Sequence, residues 1–117
     1  MYKEEMKMTI HTNVSHETID ELFSSGTAII FKHSTRCPVS AAAKREIEKY
    51  SERNTAKIPI YIVDVITKRI ESDHIEKKTG IQHQSPQVFV INKGSVVYTA
   101  SHWEIDAEII KTVTDKL

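Results

Sequence analysis

Residues 58–66 read I-P-I-Y-I-V-D-V-I and are apolar on both faces of an extended chain. A strand with no polar face has to be covered on both sides, which is the state of a strand inside a sheet sandwiched between helices. Pro59 fits the start of such a strand, where a missing N–H costs no ladder bond. Upstream, Ala28 to His33 ("AIIFKH") is a second short apolar run of strand type. The segment between them, from Pro38 to about Arg53, carries Val39, Ala43, Ile47 and Tyr50 as an apolar stripe at helical spacing. Pro38 suits the first helical position, since its absent N–H would have no helical partner there anyway. Strand, helix and strand at this spacing form a βαβ unit with a right-handed crossover.

The flanking segments extend this unit. Lys7 to His11 reads as a short strand. "VSHETIDELFSSG" reads as a helix, with Ser15 as N-cap, Val14 and Ile19 as a hydrophobic staple, and Gly26 at the end. A highly charged helix is expected over Arg69 to Thr79, ending at Gly80. "PQVFVINKGSVVYTA" reads as a hairpin turning at Asn92, Lys93 and Gly94. A last helix is expected to begin with a capping box of Ser101 and Glu104, with Ile105, Ile109, Val113 and Leu117 as its apolar face and Trp103 packed at its start. The sum is one α/β domain over residues 1–117. Its central mixed sheet of four or five strands is flanked by helices.

Charge and composition narrow the function classes. Lysines and arginines number 16, as do the acidic residues, so the formal net charge is zero. That balance lacks the basic footprint of a nucleic-acid binder. The opening "MYKEEMKMTI" is charged and lacks the apolar core of a signal peptide, and no run approaches the ~20 apolar residues of a membrane span. One cysteine rules out an intrachain disulfide. The expectation is a cytoplasmic domain without membrane or nucleic-acid partners.

That cysteine, Cys37, falls at the junction of the "AIIFKH" strand and the Pro38 helix. Helix N-termini carry free N–H groups and the positive end of the dipole, and thiols placed there have pKa values lowered from ~8.5 toward ~3.5–7.5. Arg36 adds positive charge beside it. Ser40 lies one turn on, on the same helical face, where its hydroxyl is positioned to donate to a thiolate. A lone cysteine is commonly just a small buried hydrophobe. The helix-start position, the polar "HSTR" before it and the proline after it favour a reactive thiol instead. With no second cysteine, a mixed disulfide formed on Cys37 has to be resolved by a thiol from outside the chain. Lys32, His33, Arg36 and His83 are candidates to surround the sulfur, against the reading that they are ordinary solvated residues at a strand end. His33, Cys37 and His83 lack metal-ligand spacing, so no metal is expected. Asp64, inside the apolar strand, is read as marking the strand's exposed end rather than as a buried acid.

"C-P-V-S", with "HQSPQVFVINKG" some fifty residues on, resembles the thioredoxin superfamily. More narrowly, "FKHSTRCPVS" followed by "TGIQHQSPQVFVINKGSVVYTASHWEI" is similar to the YtxJ-type monothiol bacilliredoxins of bacteria that use bacillithiol. The resemblance implies a thioredoxin-like fold with Pro86 in the cis form opposite Cys37. It implies that Ser85 offers its backbone to an extended substrate. Cys37 and Ser40 would be the catalytic residues, and Arg36, Pro38, His83, Ser85 and Pro86 the substrate-binding ones. The implied partners are bacillithiolated client proteins and a low-molecular-weight thiol, with bacillithiol as co-substrate rather than a bound cofactor. Lys32, His33, Arg36 and His83 would then face its malate carboxylates. Two departures from ordinary thioredoxins stand out: serine replaces the second motif cysteine, and "GIQHQSP" carries an extra residue before Pro86. Two other functions stay open. One is an iron–sulfur carrier of monothiol-glutaredoxin type, although glycine rather than proline follows the cysteine there. The other is a non-catalytic adaptor that binds extended peptides beside Pro86.

Overall fold

A computed structural model describes residues 10–117. The elements run β1 (Ile10–His11), α1 (His16–Ser25), β2 (Ala28–His33), α2 (Pro38–Glu52), β3 (Ile60–Asp64), α3 (Arg69–Thr79), β4 (Gln87–Asn92), β5 (Ser95–Ser101) and α4 (Ala107–Thr114), with a 3-10 turn at His102–Glu104 before α4. Of the strand expected over Lys7 to His11, residues 7–9 lie outside the described residues. The five strands form one mixed sheet in the order β1-β3-β2-β4-β5. β3 is parallel to β1 and to β2, β4 is antiparallel to β2, and β5 is antiparallel to β4.

All six residues of β2 are buried. Alternation along the strand sends Ile29 and Phe31 into one core with Ala43, Ile47 and Tyr50 of α2 and Ile110 of α4. It sends Ala28 and Ile30 into the other, with Ile19 and Leu22 of α1 and Ile75 of α3. The apolar runs of the sequence are thus the signature of a sheet covered on both faces. No helix among the described residues is long and apolar enough to cross a membrane.

Local chemistry sets the element ends. Ser15 Oγ accepts from Thr18 N–H and starts α1. β3 is shorter than residues 58–66, because Asp64 Oδ1 accepts from the N–H groups of Ile66 and Thr67 and turns the chain out of the sheet. Asp64 is therefore a turn-forming carboxylate at the strand's end. β5 bulges at Val97: Ile91 pairs with Val96 while Val90 pairs with Tyr98. The extra residue lets Val96 pack on one core and Tyr98 on the other.

The last helix departs from expectation. Ser101 is taken up in the sheet opposite Gln87 and caps nothing with its side chain. Asp106 is the N-cap, its Oδ1 accepting from Glu108 and Ile109 N–H. The capping-box pattern loses because a residue held in a strand ladder cannot also open a helix, whereas Asp106 stands free after the 3-10 turn. The buried face is Ala107, Ile110 and Thr114, while Ile109 and Leu117 are exposed at 45% and 46%. Trp103 is 74% exposed, so it is not a packing residue.

Two glycines separate backbone strain from steric conflict. Gly80 (φ 68°) ends α3 with open space where a Cβ would sit, whereas Gly94 (φ 84°) would drive a Cβ to 2.8 Å from the carbonyl oxygens of Phe23 and Ser24. With Lys93 also at positive φ, Gly94 completes a two-residue hairpin turn of type I′. Gly80→Ala should cost only the left-handed penalty of about 1–2 kcal/mol. Gly94→Ala should cost clearly more, because α1 must shift as well. Urea unfolding of both variants measures the difference, and equal losses would refute the close approach.

Candidate active site around Cys37

β2 ends at His33, and a tight turn closed by Cys37 N–H to Ser34 O at 3.2 Å delivers the chain to α2. Cys37 is the N-cap of that helix, in extended conformation, with Pro38 at the first helical position. It is half-buried, between exposed Arg36 and exposed Pro38. Beyond Pro38, which has no N–H, the amides of Val39 and Ser40 lie in the first turn of the helix, where they have no partner within it.

Ser40 is fully buried. Its Oγ accepts from Ser34 N–H at 2.9 Å and lies 2.7 Å from His33 Nδ1. The hydroxyl keeps its hydrogen and a second lone pair, so it pairs with His33 Nδ1 in either imidazole tautomer. The hydroxyl is thus engaged with His33 and Ser34 rather than with Cys37. It ties the strand end, the turn and the helix start together, and so fixes where the sulfur emerges.

The second loop at the site is held from the opposite face of the sheet. Lys32 is fully buried, with Nζ 3.1 Å from His83 Nδ1 and above the Phe89 ring. Glu76 of α3 accepts His83 N–H at 2.6 Å. Gln87 accepts from Gln84 N–H and donates to the Gln82 carbonyl, both at 3.1 Å. These contacts shape residues 81–86, which end at a cis Ser85–Pro86 bond. β4 runs antiparallel to β2 with Gln87 opposite Lys32, so buried Pro86 and the Cys37 turn share one end of the sheet. His102 N–H takes the Pro86 carbonyl at 3.1 Å. Among the described residues, Ser85 has no backbone–backbone partner, and its buried Oγ has no hydrogen-bond partner.

Neither reading of Lys32, His33, Arg36 and His83, as a ring around the sulfur or as solvated strand-end residues, holds for the first two. Lys32 and His33 are buried on opposite faces of the sheet with partners of their own, because neighbours on a strand alternate. His33 and His83 accordingly do not gather with Cys37 as ligands. Arg36 and His83 remain exposed at the site's rim. The residues that hold the Pro86 loop, Glu76 and Gln87, were missed from sequence. Their one signal was polarity: a glutamine opening an apolar strand, and a lysine closing another.

Burial holds the His33 imidazole below its ordinary 6.5, with Lys44 adding to the effect and Asp64 and Glu48 opposing it. His83 is lowered as well, first by burial and then by Lys32. Burial likewise lowers Lys32, against the pull of Glu76 and Asp73. For both histidines the unfolded chain takes up protons first as pH falls. The stability carried by the neutral rings is whole above about pH 6.5 and is lost as pH drops below it. The urea midpoint should therefore fall between about pH 7.5 and 5.5, and less steeply in His33→Gln. Identical pH slopes in parent and variant would remove His33 from the account.

Solved structures share this architecture. A protein described as having a thioredoxin fold, with oxidoreductase as its conjectured activity, is 27% identical, covers 93% of this chain and 96% of its own, and superposes with a TM-score of 0.81. The thioredoxin of Malassezia sympodialis is 18% identical over 92% of this chain and 89% of its own, with a TM-score of 0.68. A thioredoxin mutant of Halobacterium salinarum, 12% identical over 92% and 88%, gives 0.69. The fold is that of thioredoxin, and the last two likenesses speak to the fold alone. Residues 8–110 match the family described as monothiol bacilliredoxin BrxC. One thiol, with serine where a second would stand, suits that description, and the chain belongs to this family.

Proposed function

We propose that this chain is a monothiol thiol–disulfide oxidoreductase that removes bacillithiol from protein mixed disulfides, working as a single domain. The observation that carries the reading is the placement of the sole cysteine. Cys37 is a partly open N-cap at the same sheet end as the cis-Pro86 loop, and the residue that would hold a resolving thiol is a buried, fully engaged serine.

In this mechanism the Cys37 thiolate attacks the bacillithiol sulfur of the mixed disulfide. A Cys37–bacillithiol S–S bond forms, the client S–S bond breaks, and the client thiolate leaves and takes a proton from water. A second small thiol then attacks the bacillithiol sulfur, forms a disulfide with it and releases the Cys37 thiolate. One disulfide is consumed and one is formed, the second thiol being oxidised as the client thiol is reduced, so the reaction belongs in a compartment rich in reduced small thiols, such as the cytoplasm. Ser40 acts by holding the turn. Arg36 and His83, at the rim, are placed to meet carboxylates of the small thiol. The unpartnered backbone of Ser85 offers hydrogen bonds to an extended client segment.

Three exposed apolar side chains stand at the same end of the sheet. Ile66 (43% exposed) and Ile70 (73%) follow β3, and Trp103 (74%) follows β5. They follow the two strands that flank the β2–β4 pair carrying Cys37 and Pro86, and a protein client has more apolar surface to meet them than a free small disulfide.

Intact mass spectrometry after mixing the reduced chain with a bacillithiolated client tests the reaction. Bacillithiol should move onto Cys37 while the client thiol is freed, and Cys37→Ser should show neither. A client that keeps its adduct beside unmodified Cys37 would sink the reading and favour cluster carriage or an adaptor. Trp103→Ala should lower kcat/KM for the protein client roughly fivefold, the ~1 kcal/mol of an interface aromatic, and leave turnover of a small bacillithiol disulfide unchanged. Equal losses on both substrates would deny Trp103 a docking role.

A further inference from the structure

On the helical face remote from Trp103, α1 and α3 bring together a side-chain group that thiol exchange does not use. His16 and Asp20 stand one turn apart on α1, so they project from the same side of the helix. His74 reaches them from α3. The donor atoms of the three lie within 4.8 Å of one another. Both imidazoles turn Nε2 to the same carboxylate: His74 to Asp20 Oδ1 at 2.6 Å and His16 to Oδ2 at 3.9 Å. The two rings stack face to face with centroids 3.5 Å apart.

We propose that His16, Asp20 and His74 bind a divalent late first-row cation, with zinc as the best fit, and that water completes the tetrahedron. Two imidazoles and one carboxylate form a ligand set this class of ion accepts, and three protein ligands leave a fourth position to solvent. Bonds of about 2.0–2.2 Å to a tetrahedral ion put neighbouring donors roughly 3.3 Å apart. The observed 2.6 and 3.9 Å separations from the Asp20 oxygens bracket that value and all three donors lie within 4.8 Å, so the ion requires the stacked imidazoles to open and the donors to shift by about an ångström. His74 is only 15% exposed, whereas His16 and Asp20 are about half exposed. One ligand is thus held by packing while the other two close over the ion. Among the described residues, the cation paired with this carboxylate is Lys78, with Nζ 3.3 Å from Asp20 Oδ1. Its side chain is 40% exposed and free to swing away, so it weakens the site without blocking it. The bound ion would clamp α1 to α3.

The test uses the untagged full chain with Cys37→Ser, which removes the thiol as a competing ligand. Zinc is titrated in competition with a chromophoric chelator. One equivalent per chain is expected. His16→Ala and His74→Ala should each weaken binding by at least the ~10-fold that loss of even an outer-shell partner costs. Lys78→Gln should tighten binding a few-fold, and His11→Ala should leave it unchanged. His74 is packed and its loss risks the fold, so exposed His16 supplies the decisive variant. No stoichiometric uptake, or a His16→Ala chain that binds as tightly as its parent, overturns the site. Because Cys37 is absent throughout, this result is independent of the thiol-exchange reading.

Discussion

Strand β2 has no side open to water, and the candidate site follows from how that burial is accommodated at its last two residues. Lys32 and His33 are polar, adjacent, and 0% and 8% exposed. Left without partners, such groups cost several kcal/mol, more for an unpaired charge. Because strand neighbours face opposite ways, the two demands go to different layers. His33 is met by Ser40 on the α2 side, and Lys32 by His83 beside α3. Each partner belongs to one of the two loops of the site. The need to satisfy two buried polar groups thereby fixes the Cys37 turn and the Pro86 loop against the same strand.

The serine in place of a second cysteine takes on sense within that frame. At its position a hydroxyl takes short bonds on two sides, one from an amide and one shared with an imidazole. A thiol is a weak donor and a weak acceptor and would serve both partners poorly. The chain gains a rigid turn and gives up internal resolution of a mixed disulfide. In the proposed cycle a second small thiol has to reach the outer sulfur of the adduct from solvent. The exposed flanks of Cys37, Arg36 and Pro38, leave that approach open.

What the sequence disclosed and what it hid divide along a physical line. The bounds of β2, α2 and α3 were readable because each ends on local chemistry: an apolar run stopping at His33, a proline at a helix start, a glycine at Gly80. The family and the thioredoxin fold were readable from the stretches around Cys37 and Pro86. The start of α4 was not, since Ser101 and Glu104 look like a capping box until β4 claims Ser101 for the sheet. Its apolar face slipped by a residue for the same reason. The partners of Lys32, His33 and Ser40 were hidden as well. The Lys32–His83 contact spans 51 positions, and no periodicity announces which polar residue a strand will bury. His74 and Asp20, 54 positions apart, meet only through the packing of two helices.

The two layers also bear differently on function. The α2 side carries the Cys37 turn and, through the 3-10 segment packed on α2, exposed Trp103. The α1–α3 side carries the histidine–aspartate cluster and, through Glu76, the His83 amide of the Pro86 loop. His74 and Glu76 lie two residues apart on α3, so restraint of one end of that helix pair is passed along a rigid element to the loop. Lys32 stands between, facing Glu76 and Asp73 from beneath. An ion held by α1 and α3 would thus bear on the Pro86 loop more than on the Cys37 turn, which Ser40 and His33 anchor from the other face.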